Sequence, residues 1–179
     1  MVKIMSNKER IQQKTNKLQD LNVLIKSSLK TCGIFNKTDH ISLQKKLTPN
    51  LPKVRVNADD TSLVIVNILT NALESMPNYG KLLIESKYCK EHDSCVQISI
   101  SDTGFGTKRC EVDKMFDPFF TTKGEGKGIG LGLAISKRII EGYGGKINVA
   151  STQGRGTTIT LCLHAAFKSA EPRVAENMH

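Results

Sequence analysis

Hydrophobic positions change their period several times along the chain, and each change marks an element. Ile4, Ile11, Leu18 and Ile25 recur every seven residues, and Leu21 follows Leu18 by three. Asn7, Lys14 and Ser28 fill the other seam positions, so residues 1–31 read as a helix with a half-filled heptad seam that packs on a partner. Residues 32–40, with Gly33, Asn36 and Asp39, read as a connection, and 40–47 as a short strand. Pro49 and Pro52 make 48–52 a turn. Val54, Val56 and Ala58 alternate and predict a strand over 53–58. Asp59 and Asp60 offer N-caps to a helix running to about Met76, which Pro77, Asn78 and Gly80 end.

Residues 81–90 and 95–102 predict two strands joined by a short turn at 91–94. Val96, Ile98 and Ile100 alternate in the second, and Asp102 shares their parity, so its carboxylate points to the buried face. The stretch 103–130 is rich in glycine, holds a phenylalanine patch and is too long for an ordinary connection, which suggests a functional loop. A helix over 131–141 is stopped by Gly142, Gly144 and Gly145. Strands at 146–151 and 157–163 close the pattern around Gly154 and Gly156. From Ala165 the chain turns polar and reads as a loose tail. The expected division is an N-terminal helix (1–31), one domain (32–164) and a flexible tail (165–179).

Composition narrows this only a little. The 179 residues suit one domain, and 39% apolar content without Trp suits an aliphatic core. No apolar run approaches a membrane span and no signal-peptide pattern follows the first residues, so a cytoplasmic location is expected. The net charge of +9 is spread out, without a dense basic block or interleaved aromatics, and argues against a nucleic-acid surface. The five cysteines show no CxxC pairing, so idle thiols are expected rather than zinc or disulfides.

Four features carry chemistry. Asn67, Asn71 and Glu74 form a polar stripe on an otherwise apolar helix. It suits either an Asn pair capped by backbone or water or oxygens facing Mg²⁺, which takes few protein ligands beside nucleotide phosphates. Asp102 is a carboxylate on an apolar face, followed by Thr103, Gly104, Phe105 and Gly106. It could accept from an exocyclic amine such as that of adenine. The glycine-rich run from Gly124 to Gly132 leads into a helix and could cradle phosphate. It lacks the preceding strand of a dinucleotide-binding unit and the Ser or Thr of a Walker A loop. Phe116, Phe119 and Phe120 mark either a closing cluster or a docking lid.

In this order the features resemble the ATP-binding catalytic domain of sensor histidine kinases, of the Bergerat type. Asn-Ile-Leu-Thr-Asn-Ala at 67–72 is similar to the N box, and Asp-Thr-Gly-Phe-Gly at 102–106 to the G1 box. Residues 116–123 resemble the F box, in the form most like the nitrogen-regulation branch, and 128–133 the G2 box. Gly154, Arg155, Gly156 and Thr157 match the closing Gly-x-Gly-Thr. The resemblance implies an α+β two-layer sandwich: a mixed sheet of about five strands covered by three helices. It implies that Asn71 binds Mg²⁺ and that Asn67 sits near the phosphates or the incoming acceptor. Asp102 would bond the adenine amine with support from Thr157 through water, and Gly104 and Gly106 would admit the base. Lys123 and the backbone at Gly128, Gly130, Leu131 and Gly132 would hold the phosphates. The three phenylalanines would tie the lid to a helical acceptor domain.

Two departures matter. Glu74 stands where many relatives carry a basic residue. None of His40, His92, His164 and His179 has the phosphoacceptor context: His40 precedes a strand, His92 sits in a turn, and the others read as tail. The chain therefore reads as a catalytic half, whose substrate is a histidine on a separate dimerisation segment and, through it, a response regulator. Residues 1–31 resemble the second helix of that bundle. A gyrase-type or chaperone-type hydrolase needs a glutamate base where Asn67 stands. The intact F box argues against an anti-sigma-factor serine kinase. A non-catalytic nucleotide-binding module remains an alternative.

Overall fold

The computed structural model describes residues 16–33, 40–90, 94–121 and 129–166. In chain order it contains β1 (Lys17–Gln19), α1 (Leu21–Thr31), β2 (Ile41–Leu47), β3 (Val54–Val56), α2 (Ala58–Glu74), β4 (Gly80–Cys89) and β5 (Cys95–Asp102). There follow α3 (Arg109–Val112), a 3-10 turn (Asp113–Phe116), α4 (Gly132–Gly142), β6 (Lys146–Thr152) and β7 (Gly156–His164). Five strands form one mixed sheet in the order β2-β4-β5-β7-β6. β2 runs parallel to β4 and the other neighbours are antiparallel.

The alternation read in the sequence decides which face is covered. Leu82 and Ile84, then Val96, Ile98 and Ile100, then Ile159, Leu161 and Leu163, bury one face of the sheet in a single core. Ile25 and Leu29 of α1, Ile65 and Ile68 of α2, and Ile140 of α4 complete that core. Residues of opposite parity stay polar and pair across strands: the Ser99 and Thr160 hydroxyls lie 3.2 Å apart, and those of Ser101 and Thr158 2.9 Å. The result is the expected two-layer sandwich, with the three longer helices on one face. Truncating a core isoleucine such as Ile65 to alanine leaves a cavity and costs about 2–5 kcal/mol.

The amino-terminal expectation is corrected. Residues 1–15 lie outside the described residues, but a continuous helix does not run to Thr31. Lys17–Gln19 is a strand paired antiparallel with β3, and Asp20 caps α1 by accepting from the Asn22 N–H at 2.8 Å. Leu18, read as a seam residue, is half exposed, while Leu21, Leu24, Ile25 and Leu29 enter the domain's own core. Residues 17–31 therefore pack with the domain expected to start at residue 32. A strand of three residues with one exposed leucine has too little periodicity to betray itself against a helical neighbour.

Smaller corrections follow the same logic. Asn57, not Asp59 or Asp60, caps α2: its Oδ1 accepts from the Asp59 and Asp60 N–H groups at 2.8 and 3.1 Å. His164 ends β7 rather than opening the tail, whose residues 167–179 lie outside the described ones. Cys95 and Cys162 are joined by a disulfide, with Cα atoms 5.9 Å apart. Strand register, which opposes Cys95 to His164 and Gln97 to Cys162, makes the two cysteines diagonal neighbours despite their separation of 67 residues.

Candidate functional site

A cavity of about 370 Å³ opens between α2, the carboxyl end of β5, the start of β7 and the loop entering α4. Ile68 and Ala72 of α2, Ile100 of β5 and Ile159 of β7 give it apolar walls. Asn71, Ser75, Asp102 and Thr157 supply polar groups around them. An apolar slot with a few convergent polar atoms is what a small planar ligand requires.

Asp102 is held by a donor set that the sequence did not disclose. Its Oδ1 accepts from the Gly104 N–H at 2.8 Å, the Ser75 hydroxyl at 3.0 Å and the Thr157 N–H at 3.3 Å. Among the described residues, the hydrogen bonds to this carboxylate gather on Oδ1. Burial raises the carboxyl above its ordinary range, and the bonds from Gly104, Ser75 and Thr157 oppose that rise. Thr157 supports Asp102 through its backbone, while its hydroxyl lies 2.9 Å from that of Ser151.

The two G1 glycines have different roles. Gly104 does not line the cavity: a Cβ there would collide with Ser75. Its bareness lets the loop close over the end of α2, where the Phe105 N–H also donates to the Ser75 carbonyl at 3.2 Å. Gly106 does line the cavity, with φ at +60°, and its Cβ would meet the Thr152 carbonyl.

Asn67 and Asn71 part company too. Asn71 lines the cavity. The Asn67 amide donates to the Gly132 carbonyl at 3.3 Å and reaches the Ser136 hydroxyl at 3.5 Å, so it ties α2 to the first turn of α4. The polar stripe passes from Asn71 to Ser75 rather than to Glu74, which is exposed.

At the other end, Gly130, Leu131 and Gly132 line the cavity. The Gly130 carbonyl accepts from the Phe119 N–H at 2.9 Å, and a Cβ on Gly130 would lie 2.6 Å from the Phe119 and Phe120 backbones. The F box and the G2 box are therefore docked backbone to backbone. The three phenylalanines divide: Phe120 faces the cavity, Phe116 packs on the core under the Lys137 ammonium, and Phe119 is 70% exposed. Lys123 and Gly128 lie outside the described residues.

Sequence reasoning missed Ser75, Thr107, Met115 and Ile129 as lining residues. Ser75 had a signal: it continues the i, i+4 series of Asn67 and Asn71. Thr107 and Ile129 sit on loops and Met115 in the short 3-10 turn, whose course no periodicity reveals.

Residues 56–166 match the family model described as histidine kinase-, DNA gyrase B-, and HSP90-like ATPase. The chain is 34% identical over 154 residues to the sensor histidine kinase ZraS of Escherichia coli (strain K12), covering 86% of this chain and 32% of that protein. It is 42% identical over 149 residues to the signal transduction histidine-protein kinase AtoS of the same organism, covering 80% and 23%. The chain thus spans a third or less of the length of these two curated relatives. Among solved structures, the mycobacterial sensor histidine kinase MprB superposes with a TM-score of 0.72 at 25% identity, over 84% of this chain and 99% of that one. The catalytic domain of histidine kinase ThkA gives 0.72 at 26%, over 84% and 95%.

Proposed function

We propose, since the chain belongs to the family of histidine kinase-, DNA gyrase B- and HSP90-like ATPases, that it binds Mg·ATP and donates the γ-phosphoryl group to a histidine on a separate helical segment. The observation that carries this reading is the Asp102 carboxylate at the end of an apolar slot, with the Ser75, Gly104 and Thr157 donors gathered on one oxygen. An adenine amine would donate to Oδ2 while Ile68, Ala72, Ile100 and Ile159 contact the ring. Its phosphates would then run toward Asn71 and the backbone at Gly130, Leu131 and Gly132, with Lys123 and Gly128 contributing as the motif implies.

The residues present fit a magnesium ion. The cavity offers the Asn71 amide as an oxygen donor, and Mg²⁺ takes one or two protein ligands with phosphates and water completing the set. When bound, the metal supplies charge neutralisation at the phosphates. Positioning is left to the chain: the base is fixed at Asp102, and the helix start at Gly132 turns its N–H groups to anions. Asn67 cannot take a proton and is engaged with α4, which favours a phosphoryl donor over a hydrolase with a general base.

The acceptor helices, a response regulator downstream and a cytoplasmic setting complete the proposal. Among the described residues no helix is long and apolar enough to cross a membrane. The test is transfer from radiolabelled ATP to a supplied histidine-bearing helical domain. Wild type should label it, while Asn71→Ala and Asp102→Ala should not. Binding without transfer would reduce the chain to a nucleotide-binding module. Intact binding in both variants would sink the site assignment.

A further inference from the structure

Ser75 occupies an unusual place. It stands at the C-cap of α2, one turn beyond Asn71. Its Oγ lies 2.7 Å from the Ala72 carbonyl and 3.0 Å from Asp102 Oδ1, and it can donate one proton. The other two donors to Oδ1 are backbone N–H groups, from Gly104 and Thr157, which truncating a side chain does not remove. Ser75 is therefore the adjustable member of the set. The G1 loop is also built around it: the bare Gly104 passes against its side chain, and its carbonyl receives the Phe105 N–H.

We propose that Ser75 is a positioning and specificity residue: its hydroxyl fixes Asp102 Oδ1 and so presents Oδ2 to the cavity as an acceptor, selecting a base with an exocyclic amine over one with a carbonyl. This rests on the reading of the cavity as a nucleotide site. The chemistry follows from counting donors. When the Ser75 proton is directed to Oδ1, beside the two N–H groups, any proton taken up by the carboxyl goes to Oδ2. A protonated Oδ2 donates instead of accepting, which repels an amine and suits a carbonyl. Burial already raises this carboxyl, and the Ser75 bond opposes that rise. Removing the bond raises it further, so amine binding should fail at a higher pH as the pH falls. The same count applies to Asp102→Asn. The amide oxygen takes the Oδ1 place, and its NH₂ faces the cavity.

The experiment is calorimetric binding of ATP and GTP to the whole chain from about pH 4 to pH 8, which brackets an elevated carboxyl. Wild type, Ser75→Ala, Ser75→Thr, Asp102→Asn and Asp102→Ala are compared. Ser75→Ala should weaken ATP about tenfold, the size of one hydrogen bond to a charged group. It should also narrow the ATP-to-GTP ratio and move the acid limb of ATP binding to higher pH. Ser75→Thr, which keeps the hydroxyl, should restore the limb, and Asp102→Asn should reverse the base preference. If Ser75→Ala keeps the wild-type affinity, ratio and limb while Asp102→Ala loses ATP, the role of Ser75 is overturned and the nucleotide site stands. If it loses affinity with ratio and limb unmoved, Ser75 only holds the loop, and the proposal fails. If Asp102→Ala binds ATP normally, the nucleotide reading fails and the proposal with it.

Discussion

The two ends of the cavity are built on opposite plans. At the Asp102 end, a strand, a helix terminus and a second strand meet through hydrogen bonds of 2.8 to 3.3 Å to one carboxylate oxygen. At the G2 end, glycine backbone leans on phenylalanine backbone, and among the described residues a bond from the Phe119 N–H to the Gly130 carbonyl closes the contact. The first plan presents a fixed acceptor within a packed core. The second presents N–H groups whose placement depends on the absence of side chains. A base needs an acceptor at a set place, whereas phosphates bind many N–H directions and a metal.

The comparison can be broken most severely at Asp102. Asp102→Ala should weaken ATP about a hundredfold, at the upper end for a buried hydrogen bond to a charged group, measured by calorimetry. It removes the acceptor and also strands the Gly104 and Thr157 N–H groups.

Gly130→Ala tests the other end. With φ at +72° and Phe119 and Phe120 backbone 2.6 Å from the new Cβ, the F and G2 segments must separate. Strain of about 1–3 kcal/mol is expected, read as a lower Tm. A loss in nucleotide affinity smaller than that of Asp102→Ala should accompany it. An equal or larger loss would show that the glycine end, not the carboxylate, dominates binding.

The asparagines sharpen the contrast within one helix. Asn67→Ala should cost about 1 kcal/mol of stability, the size of a lost hydrogen bond, because Asn67 ties α2 to α4. Asn71→Ala should abolish the gain in ATP affinity on adding Mg²⁺. An exchange of these two outcomes would reverse the assignment.

The smallest effect lies far from the cavity. The Tyr143 hydroxyl donates to Asp60 at 2.7 Å and accepts from the Asn57 N–H at 3.3 Å, bolting the end of α4 to the start of α2. Burial, then the bond to Asp60, pushes the phenol up to about 12. A raised phenol contributes stability fully below its ordinary value near 10, and loses it as pH rises toward about 12. Tyr143→Phe should lower stability by about 1 kcal/mol at neutral pH. It should also remove this part of the alkaline decline seen in urea melts.

Much of this molecule was legible from its residues. Strand alternation in 95–102 determined the buried face of the sheet and turned Asp102 toward it, because side chains on a strand alternate strictly. The i, i+4 spacing of Asn67 and Asn71 marked the polar side of α2, and the five-stranded sandwich was what the resemblance of the motifs implied. Tertiary structure decided what each polar group meets. It gave Asn67 to α4 and Asn71 to the cavity, drew Ser75 onto Asp102, and made Cys95 and Cys162 neighbours. It also took Lys17–Gln19 from the expected helix and paired it with β3. Periodicity reports which way a side chain points along its own element. Which partner waits there is set by packing between elements distant in the chain, and that packing leaves no local pattern to read.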